Sequence, residues 1–447
     1  MRSNRSRATR RSFLKAAGFA GGMAALPTWF VEQRLDAADA EPPKSANDKP
    51  NVALIGCGGR GRTDAHEASK YCNIVAVCDV YDPHAQGASM EFGGAKPYHD
   101  FRNVLERDDV PIIINATPDH WHTLVNLSAL KAGKDIYSEK PLTLTIDEGK
   151  RVVEAVKKTG RILQTGTQQR SDVNFHLAAE LVRNNRLGKL REVTVILPAG
   201  LKGGPFATKP VPEALDWDFW LGQTPKVDFV TERGDFRFRY WYEYSAGTMT
   251  DWGAHHNDIV QWALGMDDSG PVTIEGKPTS DLVPGGYTAY SEYHIDYTYA
   301  NGVRSHVATT TDDMWTGAPV HKGPGTEHNG IKFVGDDGWI WVTRGKIEAS
   351  KPEILHDPLP SDAVRLQVSR DHKANFFECV RTRKQPICPA EVGHRSASVC
   401  HLGAISTRLN RKLQWDPQRE QFVNDAEADM WIAREQRKPW TYESLLG

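Results

Sequence analysis

The chain has 447 residues, 39% of them hydrophobic and 25% charged, which is an ordinary globular composition at a length beyond what one core usually organises. Its 55 basic residues nearly balance 57 acidic ones, so no charge footprint for nucleic acid or an anionic membrane is present. Six cysteines, at 57, 72, 78, 379, 388 and 400, lack C-x-x-C spacing, which argues against a disulfide framework and against structural zinc.

Residues 1–40 read as an export signal that stands outside the fold. Thr9-Arg10-Arg11-Ser12-Phe13-Leu14-Lys15 precedes a Gly/Ala-rich apolar run, 16–26, and Ala38-Asp39-Ala40 offers a small-x-small cleavage site. The run is too short and too glycine-rich for a comfortable membrane span. A twin arginine points to export after folding, to a periplasmic or otherwise extracytoplasmic destination. Residues 41–49 read as a linker.

A first domain is expected over 50–170. The stretch 51–61, NVALIGCGGRG, is a short apolar strand entering a turn with Gly56, Gly58 and Gly61 at G-x-G-x-x-G spacing. The first glycine allows the tight turn, the second lets backbone approach a pyrophosphate, and the third lets helix pack on strand. Gly59 and Arg60 then fall at a helix start, where backbone N–H groups face phosphate. A second strand, 73–78, ends at Asp79, which is placed to accept hydrogen bonds from ribose hydroxyls and to repel a 2′-phosphate. NAD is therefore favoured over NADP, with Tyr81 or Asp82 able to share the contact.

Further strands at 111–116, 135–138 and 161–166 alternate with helices at 123–132 and 146–158. That alternation predicts an α/β fold with a doubly wound parallel sheet, whose ligand sits outside the carboxyl ends of the strands. Thr117, Pro118, His122, Glu139, Lys140 and Gln168 occupy or follow such ends. A second, α+β domain is expected over 171–415: helix 175–184, strand 192–197, an irregular aromatic section, then strands at 272–275, 291–299 and 303–309. Asp336-Asp337-Gly338 between 331–335 and 339–343 is a hairpin signal of an antiparallel sheet. Late helices at 371–382 and 394–409 pack back on the body, and 416–447 is a tail lying over it.

Residues 247–265, GTMTDWGAHHNDIVQWALG, carry apolar residues at helical spacing and predict an amphipathic helix. Asp251, His255 and Asp258 share one face, so an imidazole flanked by carboxylates could take a proton from a substrate hydroxyl. His256 points a quarter turn away and competes for the role or serves as a hydrogen-bonded structural histidine. Metal binding by Asp251, His255 and Asp258 is weakened by the lack of further His or Cys at ligand spacing, and no metal is assigned. Oxidising a secondary alcohol requires cofactor, cation and base to converge on one carbon. Lys140 supplies a cation for developing alkoxide charge. Arg170, Trp241, Tyr242 and Trp252, with His256 and Asp258, are candidates to line the substrate pocket.

The glycine motif, Asp79, Glu139-Lys140-Pro141 and the D-x-x-x-H-x-x-D of Asp251, His255 and Asp258 together resemble the Gfo/Idh/MocA oxidoreductase family. The resemblance implies an N-terminal Rossmann domain and a C-terminal domain with a large, mostly antiparallel sheet that often mediates homo-oligomers. It implies that Lys140 binds substrate and assists proton transfer, that His255 is the acid/base, and that Asp251 contacts and orients substrate. Free NAD is scarce outside the cytoplasm, so an exported member is expected to keep its cofactor bound and recycle it. Three readings stay open: an oxidoreductase of a sugar, cyclitol or glycoside; a redox-cycling glycosidase or lyase; and a nucleotide-binding protein without turnover.

Overall fold

The computed structural model describes residues 26–36, 45–310 and 329–446. The arginine pair, the apolar run up to residue 25 and the 38–40 cleavage site lie outside the described residues.

Six strands form the first sheet: β1 (Asn51–Ile55), β2 (Asn73–Cys78), β3 (Lys96–Tyr98), β4 (Ile112–Asn115), β5 (Asp135–Ser138) and β6 (Leu163–Thr165). All their pairings are parallel, in the order β3-β2-β1-β4-β5-β6. Helices cover both faces, which is why β4 (IIIN) can be buried at every position. The chain reverses direction across the sheet between β1 and β4, and that switch point opens the crevice in which such sheets bind ligands. The expected strands and helices are present. Helix Asp82–Glu91 and β3 are additional, and the helix expected at 123 begins instead at Asp119. Pro118 at its N-cap and Asp119 in its first turn start it early, while His120, Trp121 and His122 carry no periodic apolar signal although all are buried.

Among the described residues the second sheet has nine strands, in the order β13-β12-β11-β7-β10-β9-β8-β14-β15. They are β7 (Leu190–Pro198), β8 (Thr273–Pro278), β9 (Tyr293–Thr298), β10 (Arg304–Thr310), β11 (Gly330–Gly335), β12 (Gly338–Thr343), β13 (Lys346–Ala349), β14 (Lys412–Asp416) and β15 (Gln421–Phe422). Among these strands only β7 and β10 pair in parallel. Against the sheet lies a helical layer of Val173–Arg183, Thr248–Leu264 and Ala390–Leu409. The expected surface tail therefore opens as sheet, since β14 and β15 complete the edge. Its later residues Trp440 and Tyr442 return to the core of the first sheet.

Two expectations are corrected. The Thr248–Leu264 helix is not amphipathic in its surroundings: every residue except Asp251, Trp252 and Leu264 is buried. Its polar face meets the cleft and neighbouring helices rather than solvent. Nor do residues 26–36 stand outside the fold. Thr28–Asp36 is a helix with Phe30 wholly buried in the core of the second domain.

Candidate active site

The glycine turn has the geometry that its spacing requires. Gly56 sits at φ +88°, and a Cβ there would overlap the Ala116 carbonyl; a Cβ on Gly61 would overlap the carbonyl of Gly56, so helix and turn touch backbone to backbone. In front of Gly58 and Gly59 a Cβ would meet nothing within 4 Å. Asp79 stands at the end of β2, where its Oδ2 accepts the Cys57 N–H at 2.8 Å and its Oδ1 accepts the Tyr81 N–H at 2.9 Å. The carboxylate thus ties the turn to the neighbouring strand end.

A cleft of about 470 Å³ opens between the two sheets. From the first domain it is lined by Arg60, Thr117, His122, Glu139, Lys140 and Gln168, and from the second by Asp251 and His255. Lys140 follows β5 and is joined by a cis peptide bond to Pro141. Its Nζ donates to Asp251 Oδ1 at 2.5 Å and to the Asp251 carbonyl at 3.1 Å. Burial raises the Asp251 carboxyl, but Lys140 and Arg239, whose Nε lies 3.5 Å away, outweigh it and hold the group below the usual carboxylate range. Glu139 accepts from Arg60 Nε at 3.2 Å and from Gln168 Nε2 at 2.9 Å, and burial followed by the nearby Asp64 raises its carboxyl. His122 spans two strand-end loops, with Nδ1 2.7 Å from the Pro141 carbonyl and Nε2 2.9 Å from that of Thr117. Burial lowers its pKa, and a neutral imidazole donates to only one of these two carbonyls. Pro118 caps the following helix rather than lining the cleft.

His255 reaches the cleft from the Thr248–Leu264 helix. Burial, then the charge of Lys140, push its pKa well below the ordinary imidazole value, so the ring is neutral. Its Nδ1 is buried without a hydrogen-bond partner among the described residues. The expected flanking by two carboxylates is corrected: Asp258 is fully buried and does not line the cleft. It receives Arg170 Nε and Nη2 at 2.8–3.0 Å and the Ser396 hydroxyl at 2.7 Å.

The other pocket candidates are corrected likewise. Arg170 is 1% exposed and is consumed by Asp258 and Asp267, a buried ion network that fixes the helix layer. His256 is fully buried, donating from Nε2 to Asn329 Oδ1 at 3.0 Å. Trp241 belongs to an aromatic cluster, its Nε1 on the Glu232 carbonyl and Arg233 3.6 Å over its ring. Tyr242 is sandwiched between Arg408 and Arg434 beside a separate hollow of about 20 Å³, room for a water. Trp252 backs the cleft indirectly, stacking under the Arg344 guanidinium at 4.6 Å.

Residues absent from the sequence reading also line the cleft: Glu67, Asp119, Gln169, Asp172, Arg239 and Arg344. Asp119 accepts the Ser245 hydroxyl at 2.5 Å, and Asp172 caps the Val173–Arg183 helix. Gln169 is 3% exposed, and neither atom of its amide has a partner among the described residues. Its position beside Gln168 at the end of β6 was the available signal. Arg239 and Arg344 come from a short 3-10 helix and the β12–β13 turn, where no motif marks them. Among the described residues no group of His, Cys, Asp or Glu could hold a metal ion, and all six cysteines are buried and unpaired.

Two family models match the chain. One, described as oxidoreductase family, NAD-binding Rossmann fold, matches residues 50–167; the other, oxidoreductase family, C-terminal alpha/beta domain, matches 202–333 and 338–442. Glycosyl hydrolase family 109 protein 2 of Shewanella sp. (strain ANA-3) is 34% identical over 174 residues, 34% of this chain and 38% of that protein. Inositol 2-dehydrogenase of Salmonella paratyphi B is 30% identical over 170 residues, 38% of this chain and 46% of that protein. The chain thus spans less than half the length of either relative. The WlbA dehydrogenase of Bordetella pertussis, crystallised with NADH and UDP-GlcNAcA, has the same fold, with a TM-score of 0.61 at 18% identity over 82% of this chain and 99% of that one.

Proposed function

We propose, from the premise that this chain belongs to the Gfo/Idh/MocA oxidoreductase family, that it oxidises a secondary hydroxyl of a sugar, cyclitol or glycoside with an NAD that stays bound. The observation that carries this reading is the convergence of Lys140, Asp251 and His255 in one cleft that adjoins the glycine turn. The residues fit a dinucleotide. The open face of Gly58 and Gly59 and the helix N-terminus suit a pyrophosphate, and Asp79 suits a ribose diol. Thr117, Glu139 and Gln168 would border the nicotinamide end. When bound, that ring supplies the hydride acceptor.

The chain's own residues supply the rest. Lys140, held by Asp251, places a cation beside the reacting hydroxyl and lowers the free energy of alkoxide charge. His255 is neutral and can accept the hydroxyl proton without first losing one. Gln169 offers one amide N–H pair and one carbonyl to hydroxyls next to the reacting carbon. Asp172, Arg239 and Arg344 extend the polar lining toward the remainder of a sugar. Export by the twin-arginine route to an extracytoplasmic space, where free NAD is scarce, supports retention of the cofactor. The large second sheet is the surface on which a homo-oligomer would form.

A second reading has its own support. Similarity to a glycosyl hydrolase family 109 protein favours a redox cycle in which the hydride returns to the same substrate after glycosidic cleavage. One experiment separates the readings: nucleotide extracted from the purified protein is identified, and absorbance and products are followed after adding sugars, cyclitols and glycosides. NADH that accumulates on the protein with an oxidised product supports the dehydrogenase, and glycoside cleavage without net reduction supports the second reading. A protein that carries no nucleotide and binds none would refute both.

A further inference from the structure

The helix Thr28–Asp36 precedes the first domain in sequence but is built into the second. Phe30 is 0% exposed and meets His176 edge to face at 5.2 Å. Gln33 donates to Glu180 Oε2 at 3.1 Å and accepts from Arg365 at 3.1 Å. Arg34, 7% exposed, makes a buried fork: Nη1 reaches His176 Nδ1 at 2.7 Å, and Nη2 donates to the carbonyls of Ser171 at 3.2 Å and Ser369 at 3.0 Å. A guanidinium can only donate, so His176 accepts at Nδ1 and turns its Nε2–H to Glu180 Oε2, 3.2 Å away.

Ser171 closes the 3-10 turn Gln168–Ser171, and Asp172 caps the helix that follows. On the cleft side this segment presents Gln168, Gln169 and Asp172; on the opposite side Arg34 holds its backbone. We propose that residues 26–36 are a permanent part of the mature protein, that Arg34 is a positioning residue for the 168–172 turn, and that any signal processing falls N-terminal to Leu26. A cut at 38–40 would leave the helix attached by non-covalent contacts alone. Its loss would open a cavity the size of Phe30 and strip the buried acceptors Ser171 O, Ser369 O and His176 Nδ1 of their donor.

The first test is the intact mass of folded protein recovered after expression of the full gene in a host with twin-arginine export. A chain that begins at or before residue 26 is expected, and one that begins at residue 37 or later overturns the proposal. This measurement does not depend on the activity assigned above. The positioning role does rest on that reading and is tested with Arg34→Ala and Phe30→Ala in the full chain. Both lower Tm, but Arg34→Ala raises KM for the sugar or cyclitol about tenfold, equivalent to ~1.4 kcal/mol, with nucleotide Kd unchanged. Phe30→Ala leaves KM near the parent value. Equal KM for Arg34→Ala and the parent would reduce Arg34 to a structural residue.

Discussion

Replacing Gln169 by leucine tests the site with an uncommon pair of signs. The side chain is 3% exposed, and neither its Nε2 nor its Oε1 has a partner among the described residues. Burying an unpaired amide costs about 1–3 kcal/mol, and a leucine of similar size removes that penalty. The substrate-free variant should therefore be more stable, by about 1–3 °C in Tm for a protein this large. In the substrate complex the same change deletes hydrogen bonds and strands substrate hydroxyls, so kcat/KM should fall roughly 5- to 150-fold, the equivalent of about 1–3 kcal/mol. Scanning fluorimetry without substrate and steady-state kinetics with it measure the two effects. A lower Tm with unchanged kcat/KM would show that the amide serves the fold, and the substrate contact would have to be abandoned.

Lys140→Met and His255→Asn should each lower kcat by about 10²- to 10⁴-fold while extracted nucleotide stays near one per chain; full activity in either variant removes that residue from the chemistry. Asp79→Asn weakens the anchor between the glycine turn and β2 and removes repulsion of a 2′-phosphate. NAD affinity should fall and preference over NADP shrink, measured by titration with both nucleotides. Glu148 is raised from 4.5 to about 7, chiefly by burial, against hydrogen bonds from Leu144 N–H and the Thr123 hydroxyl. A raised folded pKa means that its contribution to stability is complete below 4.5 and is lost as pH rises through 7. The loss is ~3 kcal/mol by pH 8. Glu148→Gln should be flatter across that window in denaturant titrations; equal slopes for parent and variant would exclude Glu148 as a source.

How far the residues could be read depended on whether a function is local. The glycine turn, Asp79 at the end of β2 and Lys140 at the end of β5 were legible because strand, turn and helix start are set within a few residues of one another. The Asp251-x-x-x-His255 pair was legible too, because helical spacing alone puts both on one face. Helical spacing reads Asp258 as a partner of His255, with Arg170 a pocket candidate; in the fold the two satisfy one another, and that pairing is a long-range fact.

Arg239 and Arg344 reach the cleft from two separate segments, so nothing in their neighbours announces them. The same holds for Thr28–Asp36, whose apolar residues read as the end of a leader until the core that receives Phe30 exists. The amino-acid sequence by itself determined the parallel sheet, the nucleotide turn and the residue types of the chemistry, since these rest on periodicity and turn chemistry. Only the tertiary structure decided which polar groups are left open toward the cleft and which are spent on one another, because burial and pairing are properties of segments brought together from across the chain.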